Sequence, residues 1–198
     1  MSDIILSSKL SCIFNLKLLQ QEIMSVLKNS WVDHVNINCY HGDWDVLPIR
    51  TLKQNVAQHP IRQCFALEEE GEWVYLPVIE RLPEVRKVID FFQCEVEAAR
   101  FMRLKPNAEI TAHQDKGLAM EYGSARFHLP VFAGEQVDFI VNEKRIPMQN
   151  GELWYINADA THSVKHIGKQ DRINLVIDCQ VNPWLKHQII QADVQIHG

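Results

Sequence analysis

The chain contains few of the residues that mark a fibrous, disordered or disulfide-stapled protein. Eight glycines and eight prolines among 198 residues are too few for a collagen-like chain or a low-complexity linker. The five cysteines are odd in number, widely scattered and without any C-x-x-C pair, which argues against a disulfide framework and a zinc ribbon. We therefore expect reduced thiols in a cytoplasmic protein.

The sequence also lacks an excess of positive charge and any long hydrophobic run. Twenty Lys and Arg residues stand against 25 Asp and Glu residues, which gives a formal net charge of −5. This balance argues against a general nucleic-acid binder and against a polybasic membrane-surface protein. No stretch approaches the roughly 20 apolar residues that span a bilayer, and no basic segment precedes an apolar run at the N-terminus. We expect neither nucleic acid nor a membrane as a partner.

The residues that are present suit a folded globular protein, with 46% hydrophobic and 23% charged residues. A chain of this length buries enough surface to form a core without disulfides or a metal. We expect a single domain over residues 1–198. In this prediction, residues 1–95 supply helices and strands packed on a sheet, 96–180 form a jelly-roll catalytic core, and 181–198 form a C-terminal helix and tail.

Helical periodicity appears in three segments. Residues 16–28 place leucine, isoleucine and valine at spacings of three and four, which is typical of an amphipathic helix. Residues 83–93 begin with a proline that fits the first helical position, and their apolar residues share one face. A last short helix is expected over 183–191.

Short β-rich runs fill most of the remaining sequence. Two of them, 31–40 and 44–52, lie between the first two helices and are separated by a turn-forming His-Gly-Asp cluster. The others are 96–104, 109–114, 124–132, 136–141, 144–148, 152–157, 162–167 and 172–180. Many short strands at regular spacing predict a mainly β fold, either a sandwich or a barrel, with flanking N-terminal helices, and eight is the number of strands that a jelly roll needs.

One segment of the predicted sheet carries a metal-binding pattern. In a strand, residues i and i+2 project to the same face, so His113 and Asp115 can reach one point together. One imidazole and one carboxylate are two of the three ligands in the facial triad of non-heme Fe(II) oxygenases. His162, which lies several strands later, is the natural third ligand. An H-x-D pair alone also arises by chance in a chain with nine histidines.

Two further segments offer groups that bind anions. Arg172 opens an otherwise apolar strand, so we expect its guanidinium to point inward, where it needs a carboxylate partner. That partner is either a ligand or an internal acid such as Asp171 or Asp178. Arg126 and His128 share a strand face and suit a second acidic group, although such a pair can equally lie on the surface.

These segments, in this order, resemble the aspartyl/asparaginyl β-hydroxylase family of Fe(II)- and 2-oxoglutarate-dependent dioxygenases. The matching segments are 99–110 (ARFMRLKPNAEI), 113–115 (HQD), 126–130 (RFHLP), 151–154 (GELW), 162–164 (HSV) and 172–178 (RINLVID). Asn107 stands where glycine is common in the family, and asparagine also tolerates the left-handed conformation.

The resemblance implies a double-stranded β-helix that binds iron at one end of the barrel. The implied metal ligands are His113, Asp115 and His162. Arg172 would bind the distal carboxylate of 2-oxoglutarate, and Arg126 and His128 would lie beside its metal-chelating end. The implied cofactors are Fe(II), 2-oxoglutarate as cosubstrate and O2, and the implied reaction is hydroxylation of an unactivated C–H, with succinate and CO2 as coproducts.

The identity of the substrate is less constrained by the sequence. Animal members that hydroxylate secreted domains have glycine in place of the carboxylate ligand, so Asp115 aligns the chain with bacterial-type members such as the cis-proline hydroxylases. We therefore expect a free amino acid or a similar small molecule as substrate. Candidate substrate contacts are Tyr40, His41, Trp44 and Arg103. The alternatives are hydroxylation of a peptide or protein side chain, a cupin-like metal enzyme of another class, and a non-catalytic module that binds a small acid.

Overall fold

The computed structural model describes residues 4–28, 31–35, 37–64 and 71–197. Within these residues the strands are β1 (Ser7–Leu10), β2 (Val32–Asp33), β3 (Tyr40–His41), β4 (Trp44–Leu52), β5 (Trp73–Tyr75), β6 (Val96–Leu104), β7 (Glu109–His113), β8 (Ser124–Phe132), β9 (Val137–Val141), β10 (Lys144–Arg145), β11 (Leu153–Ile156), β12 (His162–His166) and β13 (Arg172–Gln180). The α-helices are α1 (Leu16–Val26), α2 (Pro83–Asp90) and α3 (Pro183–His197).

The strands form two antiparallel sheets, in the order β1-β11-β8-β13-β6-β4-β2 and β10-β9-β12-β7-β3, with β5 paired to β4. Along the chain from β6 to β13, the strands alternate between the two sheets, except that β9 and β10 are neighbours in the smaller one. This arrangement is the eight-stranded jelly roll that the spacing of the strands predicts. The predicted fold class, a double-stranded β-helix with flanking N-terminal helices, is confirmed.

The larger sheet separates two hydrophobic clusters because successive side chains of a strand point to opposite faces. On β13, Ile173, Leu175 and Ile177 pack into the cluster that the helices cover. Val176 packs into the cluster between the two sheets. The polar residues of β13 occupy the same alternate positions as Val176. Their side chains therefore also face the smaller sheet, inside the barrel.

Helices α1 and α2 cover the outer face of the larger sheet. Leu19, Ile23 and Val26 of α1 are buried there. The carboxylate of Glu22 accepts hydrogen bonds from the backbone N–H groups of Glu84 (2.6 Å) and Val85 (3.0 Å), which lie in the first turn of α2. An acidic group in this position satisfies amides that a helix leaves unpaired at its N-terminus.

Four strands, β4, β6, β8 and β13, have the predicted bounds, and the largest difference concerns residues 31–40. The prediction of one strand there is wrong: Val32–Asp33 and Tyr40–His41 are separate strands, with a 3₁₀ turn over Ile37–Cys39, and residue 36 lies outside the described residues. β2 pairs with β4 in the larger sheet, whereas β3 pairs with β7 in the smaller one. A single straight strand cannot pair with strands of both sheets, so this segment is divided into two strands.

Smaller differences lie at the edges of the fold. The sequence does not predict β1 or β5, which join the larger sheet by pairing with β11 and β4, respectively. Helix α3 continues beyond the predicted 183–191 because Ala192, like Leu185 and Ile189, is buried against the core. The acidic segment 68–72 is typical of a solvated turn, and its residues 68–70 lie outside the described residues. Asn107 adopts the expected left-handed conformation, with φ 63°.

Two expectations from composition concern the cysteines and the membrane. All five cysteines are free thiols, of which Cys64 and Cys179 are buried. In the described part of the chain, no helix is both long enough and apolar enough to cross a membrane.

Candidate active site

Two neighbouring strands of the smaller sheet bring the predicted metal ligands together. His113 ends β7, His162 begins β12, and the two are direct partners in the register of the sheet. Asp115 lies just beyond β7, where its backbone N–H donates to the carbonyl of Ala158 at 2.9 Å. One ligand atom from each of His113, Asp115 and His162 lies within 4.8 Å of the others. The structure therefore assembles the two imidazoles and the carboxylate of a facial triad.

Each imidazole is oriented by a backbone carbonyl. Nδ1 of His113 lies 2.8 Å from the carbonyl oxygen of Thr111, and Nδ1 of His162 lies 3.0 Å from that of Ala160. A carbonyl only accepts, so both Nδ1 atoms carry a proton, and Nε2 is the nitrogen that each neutral ring can offer to a metal. Burial, reinforced by the charge of His113, lowers the pKa of His162 to about 4. The neutral form is the one that binds metals, so this donor set fits a divalent transition metal.

The third predicted ligand, Asp115, lies against a buried ion-pair network. The Nη1 group of Arg126 donates to Oδ2 of Asp115. The same guanidinium donates to both oxygens of Asp178, from Nε at 2.7 Å and from Nη2 at 3.1 Å. Arg100 donates to Asp178 from the other side at 2.7 Å.

Both carboxyl groups of this network are ionised. Burial opposes the ionisation of Asp178, but the charges of Arg100 and Arg126 outweigh it and hold the pKa of this carboxyl well below its usual range. At Asp115, burial again opposes ionisation, while Arg126 and the two histidines lower the pKa. Asp115 is therefore available as an anionic ligand at neutral pH.

Arg172 is a buried cation without an acidic partner among the residues that the structure describes. Only 6% of it is exposed, and its guanidinium lies 5.6 Å from the centre of the Phe139 ring. Asp171 instead binds Lys105 at 3.0 Å, and Asp178 binds the two other arginines. Burial alone lowers the pKa of Arg172 to about 10. The internal ion pair considered from the sequence is therefore not formed, and the guanidinium can bind an anionic ligand.

His128 projects from β8 into the same space. Its Nδ1 lies 3.4 Å from Nδ2 of Asn174, a fully buried residue on β13. Burial, followed by the charges of Arg172 and Arg126, holds the pKa of His128 well below 6.5. The imidazole is therefore neutral. Because an amide N–H of Asn174 faces Nδ1, the ring can donate its own proton from Nε2.

A cavity of about 1,280 Å³ is lined by the three predicted metal ligands and by Arg126, His128, Arg172 and Asn174. Its inner end lies between the sheets, where Met102, Leu104, Ile110, Phe139, Val164 and Val176 form apolar walls. Its outer end is lined by charged residues of both signs, which are Arg62, Glu95, Glu97 and Lys116. This volume exceeds the roughly 300–1,000 Å³ of most small-molecule sites, so two ligands have room to bind side by side.

Of the four residues predicted to contact the substrate, the structure brings Trp44 to the cavity wall and not the other three. Tyr40 packs edge-on against Trp44, with ring centres 5.6 Å apart. His41 is exposed on the short strand β3. Arg103 binds Asp45 with its Nε at 2.8 Å and covers the Trp31 ring at 4.3 Å. The strand alternation places Arg103 on the opposite face from Met102 and Leu104.

Several residues of the site were not identified from the sequence. His34 is stacked on Trp44, with ring centres 3.4 Å apart, and lines the cavity beside the metal ligands. No local pattern reveals it, because it lies in a segment that the sequence predicts as a plain strand. The position of Asn174 could have been predicted, because it lies two residues after Arg172 on one strand and therefore shares the face of Arg172.

Comparison with known proteins is consistent with this geometry. Residues 14–182 match the family model described as aspartyl/asparaginyl beta-hydroxylase. A curated relative, L-proline cis-4-hydroxylase of Rhizobium meliloti (strain 1021), is 29% identical over 110 residues, which are 54% of this chain and 39% of that protein. The chain thus covers about two fifths of the length of that relative.

Two solved structures share the fold. One is a Pseudomonas putida prolyl-4-hydroxylase, with a TM-score of 0.53 and 11% identity over 89% of this chain and 93% of that one. The other is an oxidoreductase of the 2OG-Fe(II) oxygenase family from Burkholderia pseudomallei, with a TM-score of 0.52 and 16% identity over 82% of this chain and 79% of that one. Since the family model covers most of the sequence, the chain belongs to the aspartyl/asparaginyl β-hydroxylase family.

Proposed function

We propose that the protein is an Fe(II)- and 2-oxoglutarate-dependent dioxygenase that hydroxylates an unactivated C–H of a free amino acid or a similar small molecule. One observation carries this proposal: a single cavity contains both the candidate ligands His113, Asp115 and His162 and the buried guanidinium of Arg172, which has no acidic partner among the described residues. A metal site alone is common to many enzymes of this fold. A metal site beside an unpaired buried guanidinium suits a ligand that both chelates the metal and ends in a carboxylate.

The residues of the cavity have separate roles in this reaction. When bound, Fe(II) with 2-oxoglutarate and O2 supplies the oxidation of the C–H, and succinate and CO2 are released. His113, Asp115 and His162 hold the metal from one side, which leaves positions open on the other. Arg172 binds the distal carboxylate of 2-oxoglutarate through its planar fork.

The surroundings of Arg172 strengthen its binding of a carboxylate. The walls contributed by Phe139, Val164 and Val176 exclude water, and a charge pair is stronger where water is excluded. His128 donates a hydrogen bond from Nε2 to the metal-chelating end of the keto acid, and Arg126 lies on the same side of the cavity, on the same strand. A neutral imidazole suits this role because it adds a donor without adding a second buried charge.

The substrate class is supported by the outer end of the cavity and by the curated relative. Carboxylates and cations are both present there, as an amino acid with an ammonium and a carboxylate requires. The relative is a hydroxylase of L-proline, a free amino acid. The scattered free thiols support a cytoplasmic location, where such substrates are available.

The experiment that tests this proposal begins without oxygen. Fe(II) and then 2-oxoglutarate are added, and the visible charge-transfer band of a chelated keto acid is measured. O2 is then admitted with a panel of free amino acids, including proline, aspartate and asparagine, and with peptides that contain these residues, and succinate is quantified. We expect a band and succinate formation that a free amino acid stimulates. Stimulation by peptides alone would overturn the substrate class, and absence of the band would overturn the proposed cofactor.

A further inference from the structure

We propose that Asp178 is a positioning residue for the metal centre: by fixing Arg126, it holds one oxygen of Asp115 and leaves the other oxygen to the metal. The inference rests on the proposed function, since it takes Asp115 as a metal ligand. Asp178 itself lies on β13 in the larger sheet, whereas two of the metal ligands lie on strands of the smaller sheet. Arg126 is the residue that connects the two.

The geometry of Arg126 leaves its guanidinium little freedom. Nε and Nη2 donate to the two oxygens of Asp178, which is a bidentate arrangement that fixes both the position and the plane of the guanidinium. Asp178 and Arg126 are also direct partners in the register of β13 and β8. The remaining nitrogen, Nη1, donates to Oδ2 of Asp115. The orientation of Asp115 is thus set by a group that Asp178 holds in place.

The other oxygen of Asp115 faces the histidine ligands. Oδ1 lies 3.9 Å from Nε2 of His113, a separation that leaves room for a metal ion bound by both. With Oδ2 occupied by Arg126, Asp115 offers one oxygen and acts as a monodentate ligand. A facial triad needs the remaining positions on the metal for other ligands.

Asp178 also compensates the positive charge of the Arg126 guanidinium, which lies beside the proposed cation site. Arg126 would repel a divalent metal if its charge were not compensated, and the carboxylate of Asp178 compensates it at hydrogen-bond distance. Asp178 is 1% exposed, and Arg100 holds it from β6, so the network is rigid on both sides. Buried ion pairs often add little to the stability of a fold. Stability alone therefore does not explain this network, whereas the positioning of Asp115 does.

The test measures the affinity for Mn(II) alone, by calorimetry, without keto acid or substrate. We expect the wild-type protein to bind and Asp178→Asn to weaken binding by about 10- to 100-fold, as substitutions behind metal ligands commonly do. Arg126→Met should weaken binding to a similar degree. If Asp178 acts through Arg126, the double variant should be within about threefold of the weaker single variant.

A purely electrostatic effect predicts a different pattern. Removing the cation of Arg126 would then tighten metal binding, removing the anion of Asp178 would weaken it, and the two effects would add. The matched control is Asp138→Asn, which breaks an exposed ion pair with Arg145 and should leave the affinity unchanged. Tighter binding by Arg126→Met, or additive effects in the double variant, would overturn the inference.

Two more variants keep the test decisive if Asp178→Asn does not fold. Asp178→Glu retains the charge and changes only the geometry, so it should still weaken Mn(II) binding about tenfold. Arg100→Met removes the other partner of Asp178, and we expect a lower melting temperature and a smaller loss of Mn(II) affinity than in Asp178→Glu, because the bidentate pair between Asp178 and Arg126 is kept. Equal affinity in wild type and Asp178→Glu would overturn the positioning role alone. Failure of the wild-type protein to bind Mn(II) would overturn the metal site of the proposed function and this inference together.

Discussion

His113 and His162 face each other as direct partners across the antiparallel pair β7 and β12, with their ring centres 4.2 Å apart. The two residues are 49 positions apart in the sequence, and the sheet brings them together where one strand ends and the other begins. Their Nδ1 atoms bind backbone carbonyls, so the Nε2 atoms are both available on the same side. A metal bound by these atoms would therefore lie where the two strands end and begin, rather than within the apolar core.

Replacement of His162 by alanine should abolish tight iron binding while the protein stays folded. A core of this size does not depend on its metal, and the change removes one ligand from the edge of the cavity. Binding of Fe(II) under anaerobic conditions and the far-ultraviolet circular dichroism spectrum are the two measurements. His187→Ala, on the exposed surface of α3, is the matched control and should behave as wild type. An unfolded His162→Ala protein would instead indicate a structural site.

Replacement of Arg172 by alanine should raise the requirement for 2-oxoglutarate by about two to three orders of magnitude, because loss of one partner of a buried charge pair costs about 3–5 kcal/mol. The concentration of 2-oxoglutarate that half-saturates the anaerobic absorption band is the measurement. Mn(II) affinity without the keto acid should be unchanged, since Arg172 does not contact the metal ligands. Arg145→Ala, on the exposed strand β10, provides the comparison. An unchanged requirement would exclude the assigned role of Arg172.

Removal of metal by a chelator should leave the fold intact. The hydrophobic clusters on the two faces of the larger sheet form a core large enough to hold the fold, so we expect the same secondary structure with and without a chelator. Added Fe(II) should raise the melting temperature, because a ligand at 100 times its Kd stabilises the folded state by about 2.7 kcal/mol. Thermal unfolding in excess chelator and in excess Fe(II) checks this. Loss of structure on chelation would contradict it.

We expect the protein to be less stable in acid because the carboxylate of Glu152, in the Gly-Glu-Leu-Trp segment, becomes protonated there. Burial opposes its ionisation, but hydrogen bonds from Trp154 Nε1 (2.9 Å), the Gln149 backbone (3.0 Å) and Lys9 (3.0 Å) outweigh it and lower the pKa of the carboxyl below 4.5. A pKa that is lower in the folded than in the unfolded state stabilises the fold at pH above the unfolded value. This contribution is lost as the pH falls below that value.

The variant Glu152→Gln isolates this contribution. Near pH 7 its free energy of unfolding should be about 1 kcal/mol lower than that of wild type, and the difference should shrink as the pH falls below 4.5. Urea unfolding at several pH values is the measurement, and Glu121→Gln, on an exposed turn, is the control. A difference that stays constant over this pH range would show that ionisation of Glu152 contributes nothing.

Those features that depend on neighbouring residues along one strand were predictable from the sequence. The alternation of β13 determines that Arg172 shares a face with Val176 and not with Ile173, because successive side chains point to opposite sides. The same rule predicts Asp115 beside His113, and Asp115 does lie there, although β7 ends at His113 and a backbone hydrogen bond to Ala158 holds Asp115. The eight strands of the jelly roll follow from short apolar runs bounded by turn residues, and the four longest internal strands have the predicted bounds.

What only the tertiary structure decided is which distant groups meet. Arg172 and Arg126 each begin a polar and apolar alternation, yet Arg126 binds two carboxylates and Arg172 binds none among the described residues. Likewise, the segment 31–40 divides between two sheets, and His34 reaches the cavity from it. The pairing of charges depends on distances between strands that are far apart in sequence. A local pattern contains no information about those distances, whereas the register of the sheets fixes them to within a few ångströms.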